Sequence, residues 1–486
     1  MPNVLSLPGL LATLPGLGLP LAELPTDPLN AAEAGPLIFA GVLLSLVVIY
    51  LASKLGGELC ARLNLPPVLG ELVGGVVVGI SVLHLLVFPE AGATAEPGLL
   101  ADFLQQTTGI SSTGAIAVAH SYSEVISVLS ELGVVILLFE IGLESDLAEL
   151  LKVGPQAAVV AIVGVAAPFT AGTLGLISLF AVPIIPAIFA GAALTATSIG
   201  ITAKVLAEIQ RLSSKEGQII IGAAVLDDIL GIIVLAVVGS LAKTGEVEIS
   251  NVVYLVISSV IFMVGAIVLG RFLSPFFVAL VDRLQTRGNL LIVALIFAFV
   301  LSYIAVIIHL EAILGAFTAG LVLAETDKKQ ALEKQVLPVA DMLVPIFFVC
   351  VGAKTDISVL NPLVPENWEG LIIASFLMVV AILGKVVTGF VVFGQPGINR
   401  LAIGVGMIPR GEVGLIFAAV GSASGVLSKS LDAAIIVMVV LTTFIAPPLL
   451  RLVFKDDDGT SIPEVLQPAE GESFSLTAET ELQKES

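Results

Sequence analysis

Residues 217–241 read GQIIIGAAVLDDILGIIVLAVVGSL, an apolar run with two adjacent carboxylates, Asp227 and Asp228, at its centre. A bilayer hydrocarbon core of ~30 Å is crossed by about 20 residues of helix at ~1.5 Å each, which puts the doublet near the midplane. Neighbouring residues on a helix point about 100° apart, so the two acids face different surroundings. One can line a water-filled cavity while the other meets a neighbouring helix. An ionisable group at that depth is costly, and it marks a functional site or a structural pair neutralised by a proton or a cation.

The rest of the chain fits this stretch. Of its 486 residues 57% are hydrophobic and 13% charged, and mean hydropathy is +1.09. A soluble domain carries about a quarter charged residues, so this composition belongs in lipid. The 47 glycines and 26 prolines suit close-packed and interrupted membrane helices. About thirteen apolar runs are long enough to be spans, at roughly 36–62, 67–87, 127–145, 155–179, 183–206, 217–241, 252–280, 288–309, 310–325, 336–353, 370–393, 399–424 and 432–454. The boundary near His309 separates two almost continuous runs. Under alternating topology Lys54, Arg62, Lys152, Lys204, Arg211, Lys215, Arg283, Arg287, Lys328, Lys329, Lys334, Arg400, Arg451 and Lys455 share one side. Lys243, Lys354 and Lys429 flank the other. The positive-inside rule then places the N-terminus outside and the C-terminus in the cytoplasm.

Three segments follow: an external N-terminal stretch at 1–35, a transmembrane domain at 36–454 and an acidic cytoplasmic tail at 455–486. The first 35 residues hold no Lys or Arg, so the basic region of a signal peptide is missing, although Ala31-Ala-Glu-Ala34 suits a small-residue peptidase. The stretch from about 90 to 125 reads as an external loop. The tail contributes to a net charge of −19, and the acidic balance argues against nucleic acid as a partner. Cys60 and Cys350 fall near opposite faces, which rules against a disulfide.

Other charges sit deep. Lys385, in Ile382-Leu-Gly-Lys-Val-Val-Thr388, is too far from either helix end to reach the interface easily. Burial disfavours a lone charge of either sign, so Lys385 and one aspartate would hold each other ionised, as a switch or as a permanent structural bridge. Arg410 and Glu412 lie in Gly406-Met-Ile-Pro-Arg-Gly-Glu-Val-Gly414, where Pro409 and the glycines predict a helix broken inside the membrane. The hydroxyl-rich Thr195-Ala-Thr-Ser-Ile-Gly-Ile-Thr202 suits a second break. The breaks fall in the fifth and twelfth spans, as in transporters built from inverted repeats, whose half-helix ends supply carbonyls and dipoles to an ion. Glu71 and Glu140 are either cavity-lining acids on a cation route or protonated helix contacts. His84, His120 and His309 fall near the outer surface.

Together Pro66-Pro-Val-Leu-Gly-Glu-Leu72, Leu137-Leu-Phe-Glu-Ile-Gly-Leu-Glu144, Thr195-Ala-Thr-Ser-Ile-Gly200, Val225-Leu-Asp-Asp228, Pro345-Ile-Phe-Phe-Val349, Lys385 and Pro409-Arg-Gly-Glu412 resemble the cation:proton antiporter-2 family. The resemblance implies an all-α fold with two crossed, discontinuous helices in a core domain and a separate dimerisation domain, hence a homodimer. It implies that Asp228 binds the cation or proton and that Asp227 pairs with Lys385. It also implies electrogenic exchange, since electroneutral relatives carry Asn at the first position. Backbone carbonyls and hydroxyls near Thr197 and Ser198 would complete the ion site, with Thr195, Glu71 and Glu140 as secondary candidates and Arg410 and Glu412 as supporting charges. The expectation is a Na⁺/H⁺ antiporter of a bacterial inner membrane or a thylakoid, with K⁺/H⁺ exchange or K⁺ efflux as the alternative. It needs no cofactor beyond the ions it carries, Na⁺, Li⁺ or K⁺ and H⁺.

A rival reading of the doublet is an intramembrane aspartyl protease. Its two acids would have to share a proton across a cleft, and adjacent residues on one helix diverge. The sequence therefore points to a transporter, not an enzyme.

Overall fold

The computed structural model describes residues 31–88, 98–244, 249–356 and 367–455. The terminal segments at 1–30 and 456–486, and with them most of the expected external stretch and acidic tail, lie outside the described residues. Within these limits the chain folds into sixteen α-helices and no strand. They are α1 (Ala31–Arg62), α2 (Pro67–Val78), α3 (Leu99–Thr108), α4 (Ser112–Glu144), α5 (Leu147–Phe180), α6 (Ile184–Ala193), α7 (Ile199–Glu208) and α8 (Lys215–Thr244). There follow α9 (Ile249–Arg283), α10 (Asn289–Ile307), α11 (Ala312–Leu323), α12 (Lys329–Ala353), α13 (Asn367–Phe390), α14 (Arg400–Gly406), α15 (Glu412–Ala423) and α16 (Lys429–Lys455).

Local sequence explains where they begin. Pro67 opens α2 at a position where a missing N–H costs nothing. Ser111 caps α4 by accepting from the Gly114 amide at 3.2 Å, and Asp146 caps α5 through the amides of Ala148 and Glu149 at 2.8 and 3.1 Å. His309 sits at φ 64° between α10 and α11, and turns the chain where the apolar pattern is almost continuous. Among the described residues nine helices are long and apolar enough to cross a membrane by themselves, with four shorter apolar helices besides.

One expectation fails. The stretch read as a loop from 90 to 125 holds α3 and the first turns of α4. Helix α4 continues past the bilayer thickness into polar sequence, where hydrophobic length gives no signal. The short α3 is amphipathic, burying Leu100, Ala101 and Leu104 while Leu99 and Phe103 stay exposed.

The packing repeats itself. Helix α1 packs on α2 as α10 packs on α11, and α5 on α8 as α13 on α16. Likewise α5 meets α6 as α13 meets α14, and α4 crosses α11 as α12 crosses α2. Among the described residues the chain thus forms two similarly packed halves with α9 between them. Small residues allow the closest crossings: Gly142 of α4 lies against the Phe317 carbonyl, and Gly320 of α11 against that of Phe139, where a Cβ would collide. The outer surface is apolar, with Phe39, Leu43, Val47 and Leu51 of α1 exposed at helical spacing, as lipid contact requires. Cys60 and Cys350 are free thiols.

Two bundles result. One gathers α1, α2, α4, α10, α11 and α12; the other gathers α5, α6, α8, α13, α14, α15 and α16. Helix α7 touches both.

Candidate functional site

The site lies where two chain breaks of the second bundle meet, at the boundary with the first. Helix α6 stops at Ala193 because the Thr195 hydroxyl takes the Ala192 carbonyl at 2.7 Å, and α7 resumes with Ser198 as its N-cap. Helix α14 stops at Gly406, and Pro409, which has no N–H, interrupts the ladder until α15. The breaks lace into each other. The Ser198 amide donates to the Pro409 carbonyl at 2.8 Å. The Thr197 hydroxyl donates to Met407 O at 3.2 Å, and the Thr202 hydroxyl to Gly406 O at 2.9 Å.

Two cations close the end of α6. Lys385 Nζ donates to the Thr195 carbonyl at 2.7 Å and to Asp227 Oδ2 at 3.1 Å. Arg410 Nη1 donates to the carbonyls of Ala196 and, at 3.3 Å, Thr195. Lys385, Asp227 and Arg410 are all fully buried. Placing positive charge on the unsatisfied carbonyls of a helix C-terminus is favourable, and charge-assisted bonds in a dry interior are the strong ones. The Thr443 hydroxyl in turn donates to Arg410 O at 2.6 Å.

Asp228 faces the other way. It lines a narrow cleft with Ala196, Thr197, Ser198, Ile199, Ile313, Gly411 and Val413. Gly411 is required there, since a Cβ would lie 2.8 Å from Ser198 Oγ. Among the described residues no cluster of three or more His, Cys, Asp or Glu forms a metal cage. The cleft therefore offers one carboxylate together with hydroxyl and carbonyl oxygens, a donor set that suits a hard monovalent cation or a proton.

The sodium/hydrogen exchanger transmembrane family matches residues 38–455. The chain belongs to that family. This exchanger is 68% identical over 432 residues to the high-affinity Na⁺/H⁺ antiporter NhaS3 of Synechocystis sp., covering 89% of this chain and 94% of that one. It is 32% identical over 418 residues to the Na⁺/H⁺-K⁺ antiporter GerN of Bacillus cereus, covering 85% and 96%. Among solved structures it resembles the sodium proton antiporter MjNhaP1 of Methanocaldococcus jannaschii, with TM-score 0.56, 16% identity and coverage of 87% and 97%. It is a multi-pass membrane protein that exchanges a monovalent cation for protons.

The exchanger brings together Asp227, Asp228, Thr195, Thr197, Ser198, Lys385 and Arg410. Thr195 joins through its carbonyl, because its hydroxyl turns back to Ala192. Glu412 opens α15, and its side chain lies outside the described residues. Glu71 and Glu140 do not line the cleft. Glu71 accepts from the Ser53 hydroxyl at 3.0 Å. Glu140, which the apolar pattern places deep in a span, sits one turn from the end of α4. Thr443 and Gly164 carry no clear signal in the sequence, and Thr202, part of the hydroxyl-rich stretch, gave none of its bond to Gly406 O. A Cβ at Gly164 would lie 3.3 Å from Lys385 Nζ, so this glycine leaves the ammonium its room.

Proposed function

We propose that this exchanger moves Na⁺ against H⁺ electrogenically, with Asp228 as the site that cation and proton share. The observation that supports this reading is the double tether of Lys385. The ammonium holds Asp227 Oδ2 and the Thr195 carbonyl together, so Asp227 can be released while the nitrogen stays anchored. A cation entering the cleft takes the Asp228 carboxylate and displaces its proton, with the oxygens of Thr197 and Ser198 as further ligands. The added charge competes with Lys385 for Asp227, and the loosened ammonium gives up the second proton. Two protons leaving for one Na⁺ entering makes the cycle carry net charge.

Alternating access then comes from movement of the bundle that holds the site against the bundle of α1, α2, α4, α10, α11 and α12, which we read as the dimerisation domain of a homodimer. The face carrying the Lys- and Arg-rich loops is the cytoplasmic one, in a bacterial inner membrane or the equivalent side of a thylakoid.

The test is proton flux in proteoliposomes on adding Na⁺ or K⁺, with membrane potential clamped and free. Na⁺-driven flux that Asp228→Asn abolishes is expected. Normal exchange by that variant would overturn the site, and flux driven by K⁺ alone would overturn the ion.

A further inference from the structure

The two faces of the molecule are not packed alike. On the face carrying the basic loops, α7 packs on α2 and α4 of the other bundle as well as on α8 and α16 of its own. Its counterpart in the second half, α15, packs on α6, α8 and α16, all within its own bundle. The Asp228 cleft reaches Ile313, near the N-terminus of α11, and the inverted repeat puts that end opposite the N-terminus of α2. On the basic face α7 therefore bridges the two bundles, while the cleft reaches towards the other face.

One contact stands at that bridge. Pro66 and Pro67 have no N–H, and no side chain from the start of α2 caps it. The amide of Val68, a fully buried residue, donates instead to Glu208 Oε1 at 3.3 Å, across the bundle boundary. Glu208 is the last residue of α7, where its own helix presents unsatisfied carbonyls and disfavours a carboxylate. The N-terminus of α2 offers the opposite polarity. Lys204, one turn earlier on the same face of α7, lies in electrostatic range of Glu71 on α2, of Glu140 and Glu144 on α4 and of Glu208 itself.

We infer that Glu208, seated on the N-terminus of α2 and backed by Lys204, is a clasp that holds the basic face closed and must release before the site opens there. Its consequence for transport rests on the antiport reading; the clasp itself does not. If a conformer open to the basic face is populated only in part, apparent cation affinity from that face falls by the same fraction. Weakening the clasp raises it.

The experiment is hydrogen–deuterium exchange of the full chain in lipid nanodiscs, comparing wild type with Glu208→Ala and Glu208→Gln. Exchange over residues 66–72 and 199–209 is expected to quicken most in Glu208→Ala and less in Glu208→Gln, which keeps an acceptor oxygen, while 312–323 is unchanged. In proteoliposomes, half-saturating Na⁺ on the basic face is expected to fall about threefold in Glu208→Ala, with little change from the opposite face. Unchanged exchange at 66–72 overturns the clasp, and so does a uniform increase that includes 312–323, which would report general loosening. A wild type without proton flux driven by Na⁺ or K⁺ would sink the antiport reading and leave the exchange result to decide the clasp.

Discussion

The break between α6 and α7 and the break between α14 and α15 occupy matching positions in the two halves, yet their carbonyls are satisfied by different chemistry. Thr195 O and Ala196 O at the first receive full cations, Lys385 and Arg410. Gly406 O, Met407 O and Pro409 O at the second receive neutral donors: the hydroxyls of Thr202 and Thr197 and the Ser198 amide. The helices that follow the breaks differ in the same sense. Midway along α8 stand Asp227 and Asp228, and midway along α16 stand Thr442 and Thr443. The carbonyls of the first break are met by full charge and those of the second by neutral donors, although both cations, Lys385 on α13 and Arg410 at the second break, come from the second half. An ion site needs both: fixed charge to set the balance between proton and cation, and a neutral framework that keeps its geometry while that balance shifts.

The largest effect should come from the charged groups. Asp228→Asn should abolish Na⁺-driven proton movement in proteoliposomes, and residual exchange at the wild-type rate would end the distinction between charged groups and neutral framework. Lys385→Ala comes next. It strands Asp227 as a buried charge, a loss of about 3–5 kcal/mol when one partner of a buried pair is removed. A lowered thermal unfolding midpoint is expected, largely restored by adding Asp227→Asn; no recovery in the double variant would show that Lys385 matters mainly through Thr195 O. Asp227→Asn alone should leave exchange running but reduce the charge moved per cycle towards zero, read from flux with the potential clamped and free. Smallest are Thr202→Val and Thr443→Val in the neutral framework, each expected to cost about 0.6 kcal/mol, the average for hydrogen bonds between membrane helices. A loss as large as that of Lys385→Ala would erase the comparison.

Much of this was legible beforehand because lipid imposes simple rules. Apolar length marked the helices, and an acid or lysine amid apolar sequence could be noticed without any structure. Pro409 and the glycines around it announced the second break. The reach of Thr202 and Thr443 to the second break was not legible, because a helical threonine ordinarily bonds a carbonyl of its own preceding turn, as Thr443 also does to Val439 O at 2.8 Å. Only the crossing supplies a second carbonyl.

The sequence by itself determined that the chain spans a membrane many times and that Asp227, Asp228 and Lys385 are buried there, since hydrophobic length and the cost of a buried charge are local properties. Only the tertiary structure decided which aspartate meets Lys385 and which lines the cleft, and that the cations close the end of α6. It alone showed that Glu208 reaches across to α2. Those outcomes depend on how helices remote in sequence are rotated against one another, and a 100° difference in facing sends two adjacent carboxylates to different work.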